Sequence, residues 1–436
     1  DDIPVRGRTT RSNRWLHGRN NYRREAVKLT KAEIDEWEIE CVVCSRVFSE
    51  IGHRGLALDF EGNPHIVYGQ QDLYYAWHNG SAWNYEFIDT GEGIGRSASI
   101  TIDLDGRPHI SYLGWDTSDY YLKYAYKNAD GWEFQVVTGR GDYGTNTSLE
   151  LDGNGYPHIS FKSDYYLKYA WKDAVGWRVK RLDYTGATQA GYVGDNSLAL
   201  DLDGFPHISY VRVVDDDIHP TSLKYAYLDE VGWHIQTIDD EGSVGSRNSL
   251  ELDKYGYPHI SYLGDFRKNE LKYAYQDADE WHIQIVDSDE NNISYTSLAL
   301  DDDGFPHISY HIYYEWDKGD LRYAYQDVTG WITQTLESDG NVVNGNSLAL
   351  DEDDNPHITY LILEGNNYNL KYTYQDMYGW HISTVDIREF FNGHSSLALG
   401  KDGYPHISYG GEEVLNYAYK DVNGWQKQIV DSNGRL

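Results

Sequence analysis

The feature that most narrows what this chain can become is a unit that recurs along nearly all of it. Its fullest form is Leu198-Ala-Leu-Asp-Leu-Asp-Gly-Phe-Pro-His-Ile-Ser-Tyr210, followed by Leu223-Lys-Tyr-Ala-Tyr227 and Gly232-Trp-His-Ile-Gln-Thr-Ile-Asp239. A Pro-His pair marks each copy, at His65, His109, His158, His207, His259, His307, His357 and His406, which makes eight copies spaced 44 to 52 residues apart. A repeat of this length is one supersecondary unit that must bury its apolar faces against its neighbours. Within each copy, four short runs rich in Tyr, Ile, Val, Leu and Trp are separated by Asp-Gly, Asp-Asn and Asp-x-x-Gly. That pattern predicts four β-strands joined by tight turns.

Units of this kind, with their Pro-His-Ile-Ser-Tyr motif, resemble the blades of WD-like or NHL-like β-propellers, and eight of them resemble an eight-bladed ring. The resemblance covers residues 53 to 436 and implies an all-β fold of four-stranded antiparallel blades. It implies no particular chemistry, because propellers host unrelated activities. An unbroken period over most of 436 residues favours one large ring over several domains. The 40 Tyr and 14 Trp suit the joints between blades, where large amphipathic rings pack and keep a polar tip for a hydrogen bond.

The formal net charge is -33, and it is unevenly placed. Residues 1 to 31 form a basic arm with nine cations (Arg6, Arg8, Arg11, Arg14, Arg19, Arg23, Arg24, Lys28 and Lys31) against Asp1, Asp2 and Glu25, a balance of +6. The rest of the chain therefore carries -39. Such a body repels nucleic acid and anionic membrane and attracts its own basic arm or a neighbour's. No apolar run reaches membrane-spanning length. A first residue of Asp and a single methionine, Met377, read as a processed chain whose signal peptide has been removed, hence an extracellular or cell-surface protein.

Residues 32 to 52 hold Glu36-Trp-Glu-Ile-Glu-Cys-Val-Val43, which alternates like the fourth strand of a unit and carries its Trp at Trp37. The last unit also ends in such a strand, at Trp425 to Asp431. Eight sets of the other three strands with nine fourth strands leave one surplus. It can lie as a fifth strand on its own blade, form an irregular plug, or pair with the sheet edge of another molecule. The two cysteines, Cys41 and Cys44, lie in this stretch as Cys-Val-Val-Cys. Ser45 stands where a haem attachment motif needs His, and zinc would need two more ligands, so a local disulfide or two thiols is expected.

Connection lengths locate a working face. The turns from first to second strand and from third to fourth keep constant lengths on one face of the ring, whereas the second-to-third connections on the opposite face vary widely. Binding residues concentrate on loops held by a rigid scaffold. The candidates there are Trp115, Asp116, Tyr120, Asp215, Asp217, His219, Tyr313, Tyr314, Trp316 and Tyr368. Aromatic platforms flanked by carboxylates suit a glycan or another protein's surface.

Other motifs carry less. One histidine per blade reads as a structural hydrogen bond repeated around the ring, not as a metal array. Asp-x-Asp-Gly, as at Asp201 to Gly204 and Asp301 to Gly304, hints at calcium, but a third ligand and a distal Glu do not follow, and a Gly turn explains it more simply. No cofactor is expected. Glu150 and Glu251 replace the usual Ala of the first strand in blades 3 and 5, and two carboxylates near a central channel are the minimum for glycoside hydrolysis. They stand two blades apart, and Arg54, Arg96 and Arg247 are scattered in sequence. The expected function is therefore a non-catalytic structural or adhesive surface propeller that links to itself or to another surface protein through its N-terminal arm and strand. The alternatives are a glycan-binding propeller using the variable face and, third, a polysaccharide-cleaving enzyme.

Overall fold

The computed structural model describes residues 54–431, apart from 70–71, 91–97, 116–118, 140–143, 164, 185–194, 214–220, 266, 316–317, 339–341, 390 and 412–413. Eight four-stranded antiparallel sheets follow one another along the chain: blade 1 (56–90), blade 2 (99–136), blade 3 (145–184), blade 4 (196–239), blade 5 (249–288), blade 6 (292–337), blade 7 (342–388) and blade 8 (391–431). In each sheet the strands pair in chain order, so every blade is a plain meander. First strands of consecutive blades adjoin around the axis, including that of blade 8 (Phe391–Leu399) against that of blade 1 (Leu56–Leu58).

Burial follows distance from the rim. Second strands such as Pro206–Arg212 are buried on both faces, because a blade packs against a neighbour on each side. Fourth strands such as Trp233–Asp239 alternate between half-buried and exposed positions until their last two residues. Each joint therefore has its own apolar core, as with Leu223, Tyr225, Ile238 and Val244 against Leu250, Ile260 and Tyr262.

The repeated histidine is part of that joint. In all eight blades its Nδ1 lies within hydrogen-bond reach of a third-strand tyrosine hydroxyl, at 2.6 Å for His65–Tyr75 and 2.5 Å for His357–Tyr372. Burial raises each of these phenols, so the hydroxyl stays protonated at neutral pH. In seven blades Nε2 faces the turn aspartate at 3.2 to 3.8 Å, from Asp59 to Asp351; Gly400 stands in its place in blade 8. The same aspartate caps the turn: Asp201 Oδ1 accepts from the backbone N–H of Asp203 and Phe205. Each such tyrosine also receives the fourth-strand Trp of the next blade edge-on, with ring centroids 5.1 to 5.3 Å apart.

Ring closure answers one part of the strand count. The fourth strand of blade 8 is the chain's own Gly424–Asp431, paired with Val414–Asp421. It meets blade 1 through side chains: Tyr68 donates to Asp431 at 2.9 Å, and Trp83 Nε1 to Gln428 at 2.5 Å. The arm residues Arg6, Arg8, Arg11, Arg14, Arg19, Arg23 and Arg24, the strand around Trp37, and Cys41 and Cys44 lie outside the described residues.

On the variable face, two of the widely varying second-to-third connections are extended strand pairs and not loops. In blade 7 the second and third strands, Pro356–Glu364 and Asn367–Asp376, extend until only two residues join them. Blade 6 does the same, with Pro306–Glu315 and Lys318–Asp327. Backbone pairing continued outward satisfies N–H and C=O groups that a loop would leave to solvent.

Candidate functional site

The first strands line the axis, and their opening residues stitch the ring together. At six joints the opener hydrogen-bonds to the second-strand Ser or Thr of the preceding blade: Thr147 with Ser111 (2.9 Å), Asn196 with Ser160 (2.5 Å), Asn248 with Ser209 (2.6 Å), Thr296 with Ser261 (3.1 Å), Asn346 with Ser309 (2.6 Å) and Ser395 with Thr359 (3.1 Å). At the joint of blades 8 and 1 the opener is Arg54, and the fully buried hydroxyl of Ser408 is left without a hydrogen-bond partner. Arg54 instead spans the channel. Its guanidinium donates to the carbonyl of Thr147 in blade 3 (3.3 Å), and to the carbonyl of Asn196 (3.1 Å) and the hydroxyl of Ser197 (3.3 Å) in blade 4.

Arg54 thereby enters a cavity of about 500 Å³ bounded by first strands, with Glu150, Asp195, Arg247, Glu251 and Tyr295 on its wall. In an antiparallel meander the first strand starts on the face that carries the second-to-third hairpins. Asp195, Arg247 and Tyr295 therefore stand at the mouth on the variable face. They occupy one repeat position, just before the opener, which varies from blade to blade. Arg247 and Tyr295 sit there at positive φ (56° and 51°), and the Arg247 guanidinium lies 4.5 Å from the Tyr295 ring centroid. Strained non-glycine backbone of this kind gathers at ligand sites.

Glu150 and Glu251 face the cavity on either side of Ala199 in blade 4. Glu251 is open to the channel and Glu150 half-buried, with the first strands of neighbouring blades around both. Desolvation pushes each carboxyl up to about 7; the charge of Glu150 adds to the rise at Glu251, and Arg54 opposes it at both. Burial lowers the Arg54 guanidinium from its ordinary value, and Glu150, Asp195 and Glu251 oppose that fall.

This gives a stability prediction. Native glutamates titrating near 7 hold protons that the unfolded chain, titrating at 4.5, has released. Stability therefore falls as pH rises from 4.5 to about 7. Glu150→Gln with Glu251→Gln is expected to raise the melting temperature at pH 8 and to leave it unchanged at pH 4.5. A gain of the same size at both pH values would contradict the buried-carboxyl account.

The residues singled out from sequence divide. Glu150 and Glu251, two blades apart in sequence, meet in one cavity, and Arg54 and Arg247 join them; Arg96 is outside the described residues. Trp115 and Tyr120 pair across the blade 2 hairpin with ring centroids 6.5 Å apart, and Trp115 packs on the core between blades 1 and 2. Tyr313 pairs with Gly319 within the blade 6 hairpin, and exposed Tyr314 donates to Asp320. Tyr368 packs against the core between blades 7 and 8. Asp116, Asp215, Asp217, His219 and Trp316 lie outside the described residues. Asp195 and Tyr295 were missed by sequence reasoning. Their signal was variation at the position just before the first-strand opener.

No protein-family model and no curated protein sequence matches the chain. Among solved structures it is similar to an ulvan lyase from a new family of polysaccharide lyases, in saccharide-bound and free forms. Identity is 12%, the TM-score is 0.51, and the match covers 89% of this chain and 96% and 94% of theirs. AofleA from Arthrobotrys oligospora is more distant, at 13% identity and a TM-score of 0.39, covering 89% of this chain and 96% of that one. What this chain shares with the ulvan lyase at such identity is the β-propeller architecture.

Proposed function

We propose that this protein is a glycan-binding propeller that receives its saccharide at the channel mouth on the variable face. The supporting observation is the cavity of about 500 Å³ in which Arg54, Glu150, Asp195, Arg247, Glu251 and Tyr295, all departures from the repeat, converge. A site of this size, with an aromatic face at Tyr295 and carboxyl, amide and hydroxyl groups from successive blades, matches a sugar's apolar ring face and its many hydroxyls. Binding of the full chain to a glycan array is expected, with at least a tenfold loss in Tyr295→Ala or Arg247→Ala, about 1.4 kcal/mol or more. An array with no binder would refute the reading. Mass analysis of bound glycans tests cleavage alongside: products that vanish in Glu150→Gln or Glu251→Gln would make the protein a polysaccharide-cleaving enzyme instead.

A second reading is favoured by ring closure. Because Gly424–Asp431 fills the fourth-strand position of blade 8, that position does not require the sequence around Trp37, which would instead serve a second molecule. The expected result is oligomers of the full chain at low salt and folded monomers after removal of residues 1 to 50. Monomers in both cases would refute this linker role.

A further inference from the structure

The Arg54 guanidinium rests among acceptors, with Arg247 the one other cation on the cavity wall. Its partners are two backbone carbonyls and a hydroxyl, and Glu150, Asp195 and Glu251 surround it. That is a receptor for a cation, now filled by a side chain from the far side of the channel. Arg54 takes no part in the stitch that openers make at the six joints named above, and Ser408, its counterpart, keeps an unused buried hydroxyl. A buried hydroxyl without a partner costs about 1–3 kcal/mol, so Ser408 offers an unused acceptor at the joint where Arg54 is the opener. Residues 32 to 436, with a formal charge of -39, attract cations and repel anions.

We propose that the cradle's external ligand is the protonated amine of an amino sugar, which displaces Arg54 and sends its guanidinium back toward Ser408. The inference rests on the glycan-binding reading and names its sugar class. The ammonium takes over the carbonyls of Thr147 and Asn196 and the field of Glu150, Asp195 and Glu251. The neighbouring ring stacks toward Tyr295, whose Arg247 partner stays at the mouth. An N-acetylated sugar keeps the ring and its hydroxyls but carries a larger, uncharged amide, so it gains nothing from the carboxylates. A uronate is repelled by them.

The test titrates the full chain at pH 7 with tetramers of glucosamine, N-acetylglucosamine and galacturonate, by calorimetry. The glucosamine tetramer is expected to bind at least about tenfold more tightly than the N-acetylated one, and Glu150→Gln with Glu251→Gln is expected to erase that preference. Arg54→Ala, which removes the competitor, is expected to tighten glucosamine binding several-fold. Equal or better binding of the N-acetylated tetramer overturns the amino-sugar class and leaves the glycan reading standing. If no tetramer binds and the glycan array is also empty, both fail together. The cradle has its own readout: guanidinium at a few millimolar is expected to raise the melting temperature of Arg54→Ala and not of the native chain. Absence of that rescue overturns the cradle whatever the glycans do. If Arg54→Ala does not fold alone, Arg54→Lys keeps the charge with fewer donors, and weaker competition with the glucosamine tetramer is expected from it; unchanged competition overturns displacement.

Discussion

Acidification below pH 6.5 is expected to unfold this protein over a narrow range, because the repeat multiplies one titration eightfold. Burial lowers the pKa of His65, His109, His158, His207, His259, His307, His357 and His406 below the ordinary 6.5, and desolvation is the leading cause in each. His311, buried with Nε2 2.8 Å from the carbonyl of Val342, is pushed down to about 4 and acts with the same sign. Below 6.5 the unfolded chain binds protons that these native imidazoles refuse, so stability is lost as pH falls. Glu150 and Glu251 work the other way between 7 and 4.5, offsetting up to two of the nine protons. At about 1.4 kcal/mol per proton and pH unit, the remaining seven give an upper slope of about 10 kcal/mol per pH unit, comparable to the whole stability of a domain. Melting temperatures and proton uptake on unfolding, measured from pH 7.5 to 5, check this. A flat profile, or uptake of one or two protons, would show that the histidines accept charge in the folded ring, with the turn aspartates as counter-ions.

Asp239→Ala is expected to destabilise by about 3–5 kcal/mol, the range for removing one partner of a buried ion pair. Asp239 and Lys272 are 2.8 Å apart across the joint of blades 4 and 5, with side chains only 2% and 7% exposed. Tyr262 donates to the same carboxylate at 2.9 Å. Without Asp239 the Lys272 ammonium is left with Glu270, 3.9 Å away, and the Tyr262 hydroxyl loses its acceptor. Urea unfolding of Asp239→Ala, Lys272→Met and the double variant separates the terms. The double variant should be closer to native than Asp239→Ala, since it leaves no uncompensated charge. Arg178→Ala, which breaks a 2.6 Å pair to Asp173 at the exposed rim, should leave the midpoint unchanged. Equal effects at both sites would mean that the joint is wetter than its geometry shows.

Asp239 also illustrates where sequence reading stops. Strict alternation along Trp233–Asp239 puts Ile238 and Asp239 on opposite faces. In the structure Leu223 pairs with Asp239 and Lys224 with Thr237, so Ile238 is the extra residue of a bulge and both it and Asp239 are buried. Bulges re-aim side chains in this way. Nothing in the local pattern announces it.

The eight blades, their four strands and their turns were legible because each follows from local chemistry repeated eight times: period-two alternation, Asp-x-x-Gly turns, and a Trp at a constant offset. The role of the repeated histidine was legible for the same reason, since one residue per blade cannot converge on a ring axis and at the rim at once. Of the site, Glu150 and Glu251 were legible as departures near the channel, and its assembly was not. Glu150, Asp195, Arg247 and Tyr295 come from four different blades, and Arg54 reaches them from a fifth, 93 positions before Thr147 and 142 before Asn196. Their meeting depends on how many blades close the circle and on which face each first strand begins. The amino-acid order by itself determined the unit and its count; closure of the ring decided which departures from the unit share one desolvated cavity, because burial and charge act through space and not along the chain.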